Sequence, residues 1–313
     1  MNIQQLKYCH EVARRGLSVS AAADALHTSQ PGVSKQIRAL EEELGVELFV
    51  RQGRRFTAVT DAGREVLASV ERILHELSAL KAIGAEHADH ARGSLAVAVT
   101  HTQARYALPA VVTDFKKRFP EVKLKLLQGN PRQLAAMVLA GEADLAVATE
   151  ALDEYPELVT VPCYSWHHCV VVPAGHPLER VRPLTLEAIA AYPIVTYDAT
   201  FAGRTALDRA FAARALTPEV ALSALDSDVI KSYVSLGLGV GIISSRAFRP
   251  GKEDGLVALD CGHLFPTQTT RLAYRRGAYL RGYTVALIGL LAPNLRPEDL
   301  RQLAAGSADN FSI

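Results

Sequence analysis

Residues 28–49 read TSQPGVSKQIRALEEELGVELF, and they predict a helix that begins after Ser29 and ends at Gly45. Serine is a favoured N-cap residue, a proline such as Pro31 fits the first helical turn, and glycine commonly follows the last turn. Apolar residues then recur at helical spacing, which gives the helix one face to bury. These residues are Val33, Ile37, Leu40 and Leu44.

The opposite face of this helix carries side chains that suit contact with DNA. Hydrogen-bonding and cationic groups on the front half of a short helix can meet base edges in the major groove, while groups beside them bind phosphate. We expect Gln30, Ser34 and Lys35 at base edges, and Ser29 and Arg38 at phosphate.

Two shorter helices precede this one and complete a unit. Residues 6–15 and 19–26 have helical patterns, Ser18 is placed to cap the second of them, and residues 27–28 form the turn. This order is typical of a helix-turn-helix. On this pattern alone, an ordinary helical hairpin with a solvated charged face is the alternative interpretation.

A predicted hairpin follows the long helix and has the character of a wing. Residues 48–51 and 56–59 form its strands, and Gly53 lies in the turn. We expect Arg51, Arg54 and Arg55, at or beside the tip, to bind backbone phosphate. Because the net charge of the chain is only +1, binding to nucleic acid must come from such a local patch.

Three stretches of this region resemble the winged helix-turn-helix of LysR-type transcriptional regulators. They are AAADAL at 21–26, the long stretch 28–51, and TDAG at 60–63. The resemblance implies a transcriptional regulator rather than an enzyme, with double-stranded DNA as partner and residues 1–59 as the DNA-binding domain. It also implies an α/β protein with a long linker helix and a two-lobed effector domain that looks like periplasmic binding proteins.

Composition indicates a soluble globular protein of two or three domains. The chain has 313 residues, of which 49% are hydrophobic and 21% are charged. No apolar run is long enough to span a bilayer or to form a signal peptide, which predicts no membrane association. Four cysteines in a chain of this length do not make a disulfide framework, and this indicates a reducing cytoplasm.

Residues 60–92 predict a long linker helix with a narrow apolar stripe, and Thr60 is a suitable N-cap. Such a stripe favours pairing with the same helix of a second subunit, and a helix folded back on its own chain is the alternative. In LysR-type regulators this helix is the dimer interface. The resemblance therefore implies a homodimer, a homotetramer that binds a two-fold DNA site, and contact with RNA polymerase. The stripe consists of Val66, Val70, Ile73, Leu74, Leu77, Leu80 and Ile83.

From residue 93 the pattern changes to short apolar strands that alternate with helices. This alternation predicts α/β lobes built on parallel sheets. We assign residues 93–162 and 268–293 to lobe one and residues 163–267 to lobe two, and we expect residues 294–313 to form a polar, disordered C-terminal tail. Small ligands bind between such lobes, at the carboxyl ends of strands.

Polar side chains follow several of these strands. Thr100, Thr102 and Gln103 come after the first strand at a helix N-terminus, which is a good seat for an anion. Together with the groups after other strands, they predict neutral donors for a small hydroxylated or oxyanionic ligand. Individually, such residues are more often simple helix N-caps, so it is their concentration at matching strand ends that carries the prediction. The other predicted site residues are Thr149, Thr200, Ala202 and Gly203, and Glu150 and Thr196 also lie at strand ends on this edge.

Four stretches resemble the CysB and Cbl branch of the LysR family, which controls cysteine synthesis and the use of sulfur sources. They are THTQARYALP at 100–109, ATEAL at 148–152, VPCYSW at 161–166, and DSDVIKSYVSLGLGVGII at 226–243. The cleft of that branch binds sulfate-like anions or an acetylated serine. The resemblance thus implies an activator with sulfate, thiosulfate or acetylserine as its effector and with no other cofactor.

The same resemblance assigns effector contacts residue by residue. A fifth contact position, usually threonine in the branch, is Ala202 in this chain, and Thr200 would have to supply the missing hydroxyl. This departure keeps two alternatives open: a LysR-type regulator of another pathway with a different effector, and a cytoplasmic solute-binding sensor. The four positions that match the branch are Thr100, Thr102, Gln103 and Thr149.

Two other groups of residues contain side chains that could bind a metal or act in catalysis, but their spacing does not fit such a site. Cys163 and Cys169 flank His167 and His168, yet adjacent histidines on a strand point to opposite faces, so we expect interior packing and no metal site. His101 lies between two threonines, but no carboxylate in the local sequence orients it, which leaves a catalytic triad unsupported.

Overall fold

A computed structural model of the chain describes residues 1–53, 55–88, 92–199, 202–253 and 255–304. The chain divides into two compact units, Met1–Ala85 and Glu86–Ile313, which we call the head and the effector unit. Among the described residues, none of the helices combines the length and the apolar character that crossing a membrane requires.

The head is a winged helix-turn-helix followed by one long helix, which confirms the predicted fold. Its helices begin at side chains that cap them, namely Asn2, Ser18, Ser29 and Thr60. Gly45 has a φ of 71°, the left-handed conformation that ends the recognition helix. The elements are α1 (Ile3–Arg14), α2 (Val19–Ala25), α3 (Gln30–Leu44), β1 (Phe49–Gln52), β2 (Arg55–Val59) and α4 (Asp61–Ala88).

A small apolar core fixes the orientation of α3. Val33, Ile37 and Leu40 are fully buried together with Phe49 of the wing. Burial of such a side chain stabilises the fold by roughly 1.5–3 kcal/mol. Leu44, predicted for the same face, is 37% exposed because the helix ends there. The opposite face of α3 is therefore turned to solvent.

Helix α4 is 28 residues long and retains the predicted apolar stripe. Val70 is buried in the head core, whereas Ile73, Leu80 and Ile83 are 44%, 66% and 37% exposed in the single chain. An apolar stripe that its own chain leaves exposed is available to a second helix.

The effector unit has two lobes, each built on one five-stranded sheet with an apolar cluster on both faces. Lobe one contains β3–β6 and β12, and lobe two contains β7–β11, with ranges as follows. In chain order the elements are β3 (Gly93–Val99), α5 (Leu108–Arg118), β4 (Val122–Gln128), α6 (Pro131–Leu139), β5 (Leu145–Ala148), β6 (Leu158–Trp166), β7 (His168–Pro173), α7 (Leu186–Ala190), β8 (Ile194–Tyr197), α8 (Ala202–Ala212), β9 (Val220–Ala224), α9 (Ser227–Ser235), β10 (Val240–Ser244), β11 (Leu256–Asp260), β12 (Gln268–Arg275), α10 (Gly282–Leu291) and α11 (Pro297–Ala304).

Both sheets are mixed, which corrects the prediction of parallel sheets. Lobe one has the strand order β4-β3-β5-β12-β6, with β12 antiparallel to β5 and to β6. Lobe two has the order β11-β7-β10-β8-β9, with β7 antiparallel to β10 and to β11. The reason is that β7 and β12 are the strands by which the chain crosses between lobes, so each enters its sheet from the cleft edge, where the parallel strands end.

The first crossing lies at His167, so the boundary predicted between residues 162 and 163 falls inside β6. The sequence pattern did not predict β6, because Pro162 argues against a central strand. In the structure β6 is an edge strand, and its pairing with β12 skips Cys163 in a bulge next to that proline. Strand β11 was also not predicted.

The C-terminal segment is partly ordered, which corrects the expectation of a disordered tail. Helix α11 begins at Pro297, and Leu303 is fully buried against the core of lobe one. Leu295 and Leu300 pack against the same cluster. Burial of these leucines gives the segment a reason to fold that its polar composition does not reveal. Residues 305–313 lie outside the described part of the chain.

Candidate DNA-binding and effector-binding sites

The face of α3 that points away from the head core carries the predicted base contacts. Gln30, Lys35 and Arg38 are exposed, and Ser34 is half-buried between them. The Ser29 hydroxyl accepts a backbone N–H of the first turn at 3.3 Å and so caps the helix that presents them. This geometry suits a recognition helix, and the contact of each residue with base or phosphate stays a prediction.

The wing presents one arginine to solvent and holds another in place. Arg55 is exposed on β2. The Arg51 guanidinium pairs with the Glu41 carboxylate and lies 4.8 Å from the centre of the Phe56 ring. Arg51 therefore anchors the wing, and the phosphate contact predicted for it stays a prediction. Arg54 lies outside the described residues.

Glu41 is the buried acceptor that joins the recognition helix to the wing. Its Oε1 accepts the backbone N–H groups of Leu48 at 2.9 Å and Phe49 at 3.3 Å, and its Oε2 pairs with Arg51. The residue is 7% exposed. Glu41 was not singled out from the sequence. Its spacing of four residues from Ile37 was the sequence feature that could have put it on the buried face.

The effector unit has a small cavity at the edge where the strands of both lobes end. Its volume is about 40 Å³. Lobe one contributes the predicted residues of the 100–103 and 149–150 segments. Three further residues of the wall were not singled out by the sequence, namely Trp166 at the end of β6 and Tyr197 and Ser244 of lobe two. The wall consists of Thr100, Thr102, Gln103, Thr149, Glu150, Trp166, Tyr197 and Ser244.

Hydrogen bonds orient the lobe-one donors of this cavity. Trp166 Nε1 donates to the hydroxyls of Thr149 at 3.3 Å and Thr270 at 3.2 Å. Gln103 Nε2 donates to Thr270 Oγ1 at 3.3 Å, and Gln103 Oε1 accepts the hydroxyl of Tyr164. Residues Gln103–Ala107 form a π-helix directly before α5. Such turns are frequent at functional sites.

Lobe two closes the cavity through a buried tyrosine. The Tyr197 hydroxyl lies 2.6 Å from Ser227 Oγ and accepts the backbone N–H of Ser244 at 3.1 Å. Burial raises the pKa of Tyr197 to about 12, so the phenol stays neutral. Ser227 Oγ in turn lies 3.5 Å from the Thr102 hydroxyl of lobe one. The two lobes thus meet through hydroxyl groups at the cavity.

The loop predicted to supply the fifth contact position is only partly described. Thr200 lies outside the described residues, and Ala202 and Gly203 form the first turn of α8. Their roles in effector binding stay predictions. Thr196, which we expected at the same edge, donates its hydroxyl to Ile242 O at 3.2 Å and is buried, so it holds β8 to β10 and does not line the cavity.

Carboxylates do approach His101, although none is near it in sequence. Asp226 Oδ1 lies 3.9 Å from Nδ1 and Asp228 Oδ2 lies 3.9 Å from Nε2. Within the described ranges, these three residues are the one grouping of side chains with the spacing of metal ligands. Asp228 already pairs with Arg105 at 2.8 Å and with Lys231 at 3.2 Å. Two cations at the same carboxylate oppose the binding of a metal ion.

The cysteines and one of the two histidines near the first crossing are packed in the interior. Cys163 and Cys169 are buried free thiols, and burial raises the pKa of each to about 12. His167 is exposed at the crossing between β6 and β7, and His168 is fully buried at the start of β7. Burial lowers the pKa of His168 to about 4, and neither ring nitrogen has a hydrogen-bond partner among the described residues. Its ring packs edge-to-face on Trp166.

Two family models match the chain and together cover most of it. The model described as "Bacterial regulatory helix-turn-helix protein, lysR family" matches residues 3–64. The model described as "LysR substrate binding domain" matches residues 88–296. These ranges correspond to the winged unit and to the two lobes.

Named relatives match over the full length. The chain is 51% identical over 313 residues to the "HTH-type transcriptional regulator CysB" of Burkholderia cenocepacia, with 100% of both chains covered. It is 51% identical over 303 residues to the "HTH-type transcriptional regulator SsuR" of the same organism, covering 97% of this chain and 98% of the relative. Among solved structures, the cofactor-binding domain of the Cbl transcriptional regulator is 44% identical with a TM-score of 0.65, covering 68% of this chain and 93% of that one.

Proposed function

The chain belongs to the LysR family of transcriptional regulators, and from that premise we propose that it regulates sulfur assimilation in response to a small effector bound between its lobes. The observation that carries this proposal is the cavity of about 40 Å³ lined by Thr100, Thr102, Gln103 and Thr149. Full-length relatives at 51% identity are named CysB and SsuR, and this supports a sulfur-related role.

The wall of the cavity favours an oxyanion held by neutral donors. Its size corresponds to a few water molecules, which suits a tetrahedral anion such as sulfate or thiosulfate. Threonine hydroxyls and the Gln103 amide can donate hydrogen bonds without a fixed charge. The indole N–H of Trp166 is already donated to the hydroxyls of Thr149 and Thr270, so it orients them. Glu150 also lies in the wall, and its carboxylate would pair with the ammonium group of O-acetylserine. The proposed effectors are therefore a sulfate-like anion or an acetylserine.

We infer further that the protein works as a homodimer or homotetramer in the cytoplasm. The exposed apolar residues Ile73, Leu80 and Ile83 of α4 support pairing with the same helix of a second subunit. Paired helices would set the spacing of two heads on a two-fold DNA site. Effector binding that changes the lobes would then change DNA affinity, and DNA would change effector affinity by the same factor. Contact with RNA polymerase completes the proposed action as an activator.

A thermal-shift titration of the purified full-length protein tests the effector half of this proposal. The ligands are sulfate, thiosulfate, O-acetylserine and N-acetylserine at fixed ionic strength, with chloride as the reference anion. A ligand that binds the folded state at about 100 times its Kd stabilises it by about 2.7 kcal/mol. We expect a specific rise in Tm with at least one ligand, and its loss in Thr102→Ala.

A matched threonine outside the cavity provides the control. The Thr113 hydroxyl donates to Pro109 O within α5, so Thr113→Ala should keep the ligand response of the wild type. A response that survives in Thr102→Ala, or none with any of the four ligands, would refute the proposed effector class while the DNA-binding role stands.

A further inference from the structure

Two short segments carry both the effector cavity and a second polar contact between the lobes. Residues 100–107 of lobe one supply three residues of the cavity wall and then the π-helix. Residues 226–231 of lobe two include Ser227, which meets Thr102 and Tyr197 at the cavity. The residues that follow in each segment form a separate network of charged groups at the rim of the cleft.

Asp228 is the centre of this network. Its carboxylate accepts the hydroxyl of Tyr106 and pairs with Arg105 at 2.8 Å, and both partners belong to lobe one. Lys231, from its own helix, lies 3.2 Å from the same carboxylate. Burial alone would raise the pKa of Asp228, but hydrogen bonds from Tyr106 and Lys231 hold it below its ordinary value. The carboxylate is therefore charged at neutral pH.

Tyr106 belongs to lobe one but is inserted into lobe two. Its ring packs against the apolar cluster of lobe two that includes Ile230 and Val234. Its hydroxyl accepts from Lys231 Nζ at 2.8 Å, and the Arg249 guanidinium lies 5.2 Å from the ring centre. Tyr106 is therefore held by hydrogen bonds and by apolar contacts that come from the opposite lobe. These contacts must break before the lobes can separate.

The part of this network around Lys231 differs from an ordinary surface ion pair, whereas the Arg105 side chain is 61% exposed. Exposed pairs contribute little because solvent screens both charges. Here the Lys231 side chain is 6% exposed, and its ammonium also donates to Ala247 O at 3.0 Å and pairs with Glu253. Buried, multiply bonded charges are costly to leave without partners. Opening the cleft would remove Tyr106 and Arg105 from this set.

We propose that Arg105, Tyr106, Asp228 and Lys231 form an interlobe latch that sets the fraction of effector-free protein with a closed cleft. These are positioning residues: they line the rim and determine effector affinity without touching the effector. The apparent Kd of a ligand equals its intrinsic Kd divided by the fraction of protein that is competent to bind. The effector half of this inference rests on the proposed function, whereas the closure of the cleft does not.

The closure can be measured without any effector, because the chain has a single tryptophan and it lines the cavity. Trp166 is 8% exposed with the cleft closed. In Tyr106→Phe, which keeps the ring and loses the hydroxyl, and in Asp228→Asn, we expect acrylamide to quench Trp166 fluorescence about twice as efficiently. Equal quenching in wild type and both variants, with unchanged circular dichroism, would overturn the latch.

Asp114→Asn is the matched control. Asp114 pairs with Lys117 at 2.8 Å, the same separation as the Arg105–Asp228 pair, but both partners lie on one helix of lobe one. This variant loses an ion pair without loosening the lobes, so its quenching should equal that of the wild type. An increase in Asp114→Asn as large as in Asp228→Asn would overturn the assignment of the effect to closure.

Titration of the full-length protein with thiosulfate, followed by Trp166 fluorescence, tests the link to the effector site. We expect Kd to rise about fivefold in Tyr106→Phe and about tenfold in Asp228→Asn. The increase in Kd of the double variant should be smaller than the product of the two single increases, because one change removes and the other weakens the same Tyr106–Asp228 hydrogen bond. If the variants keep the Kd of the wild type, the latch is wrong. If the wild type itself binds neither thiosulfate nor the three other ligands, the proposed effector is wrong, and the quenching measurement decides the latch alone.

Discussion

The head and the effector unit each contain a carboxylate that collects three polar partners, but the partners come from different distances along the chain. Those of Glu41 lie no more than 10 residues away, on the strand that follows its helix. The Tyr106 partner of Asp228 is 122 residues away, on the other lobe. Local partners fix one geometry of recognition helix and wing. Partners on opposite lobes can separate, which makes the cleft the part of the molecule that a ligand can change.

Removal of the Glu41 carboxylate tests whether local contacts fix the geometry of the head. Among the changes considered, it should lower the unfolding free energy most. Glu41→Ala leaves the N–H groups of Leu48 and Phe49 and the charge of Arg51 without their acceptor. Loss of one partner of a buried ion pair costs about 3–5 kcal/mol. We expect the head to lose about 4 kcal/mol of unfolding free energy, measured by urea denaturation with far-UV circular dichroism.

Two internal controls accompany that measurement. Glu42 is exposed on the same helix, so Glu42→Ala should leave the denaturation midpoint nearly unchanged. Trp166 lies in the effector unit, so its fluorescence should report the wild-type transition in Glu41→Ala. If the denaturation midpoint reported by Trp166 fell as much as that of the head, the effect of Glu41 would not be confined to the head.

The buried imidazole of His168 sharpens the contrast, because unlike Glu41 it has no polar partner among the described residues. Its pKa falls from 6.5 to about 4, so the unfolded chain takes up a proton between these values and the folded chain does not. Its contribution to stability is therefore complete above pH 6.5 and decreases as the pH falls towards 4. The total loss is about 3 kcal/mol.

Urea denaturation followed by Trp166 fluorescence at a series of pH values checks this expectation. His168→Phe keeps an aromatic ring between Trp166 and Phe265 and removes the titrating group, so its stability should vary less between pH 6.5 and 4 than that of the wild type. His10→Gln changes a histidine of the head, a separate compact unit, so the transition that Trp166 reports should equal that of the wild type. Identical pH dependence in His168→Phe and wild type would show that His168 is not responsible.

Two glycines of α4 offer a matched pair of changes in the head. A Cβ atom at Gly63 would lie 2.1 Å from the carbonyl oxygen of Leu48, whereas a Cβ atom at Gly84 would meet nothing within 4 Å. Gly63→Ala must push the helix away from the wing, at a cost of about 2 kcal/mol. Gly84→Ala should stabilise the exposed helix by about 1 kcal/mol. Thermal denaturation of both variants would contradict the close contact if their Tm values moved in the same direction.

Contacts between residues that are close in sequence could be predicted from the sequence, whereas contacts between distant residues could not. The caps Ser29 and Gly45 and the buried face of α3 follow from neighbours within a few residues, so the head was predicted almost completely. In the effector unit the strand ends located the polar residues of lobe one, and similarity to LysR-type regulators located the cleft. The cavity residues Trp166 and Ser244 were missed because only pairing between distant strands brings them to it.

His101 and Asp228 show the same limit. No sequence spacing connects residues on different lobes, so the histidine was interpreted as lacking carboxylate neighbours, although the fold places two at 3.9 Å. The mixed sheets have a similar origin. The direction of β12 depends on the chain having returned from lobe two, which a pattern of alternating strands and helices does not record.

The smallest expected effect distinguishes two arginines of the wing. Arg55 is exposed with its charge directed to solvent, so Arg55→Ala should weaken binding to all DNA sequences and lower the slope of log K against log salt by about one. Arg51 is held by Glu41 and Phe56, so Arg51→Ala should instead lower the stability of the head. Fluorescence anisotropy with labelled duplexes at several salt concentrations measures the slope, and circular dichroism measures the stability. These roles would be reversed if Arg55→Ala kept the wild-type slope while a fully stable Arg51→Ala lowered it. That result would show that Arg51 binds DNA in spite of its contacts with Glu41 and Phe56.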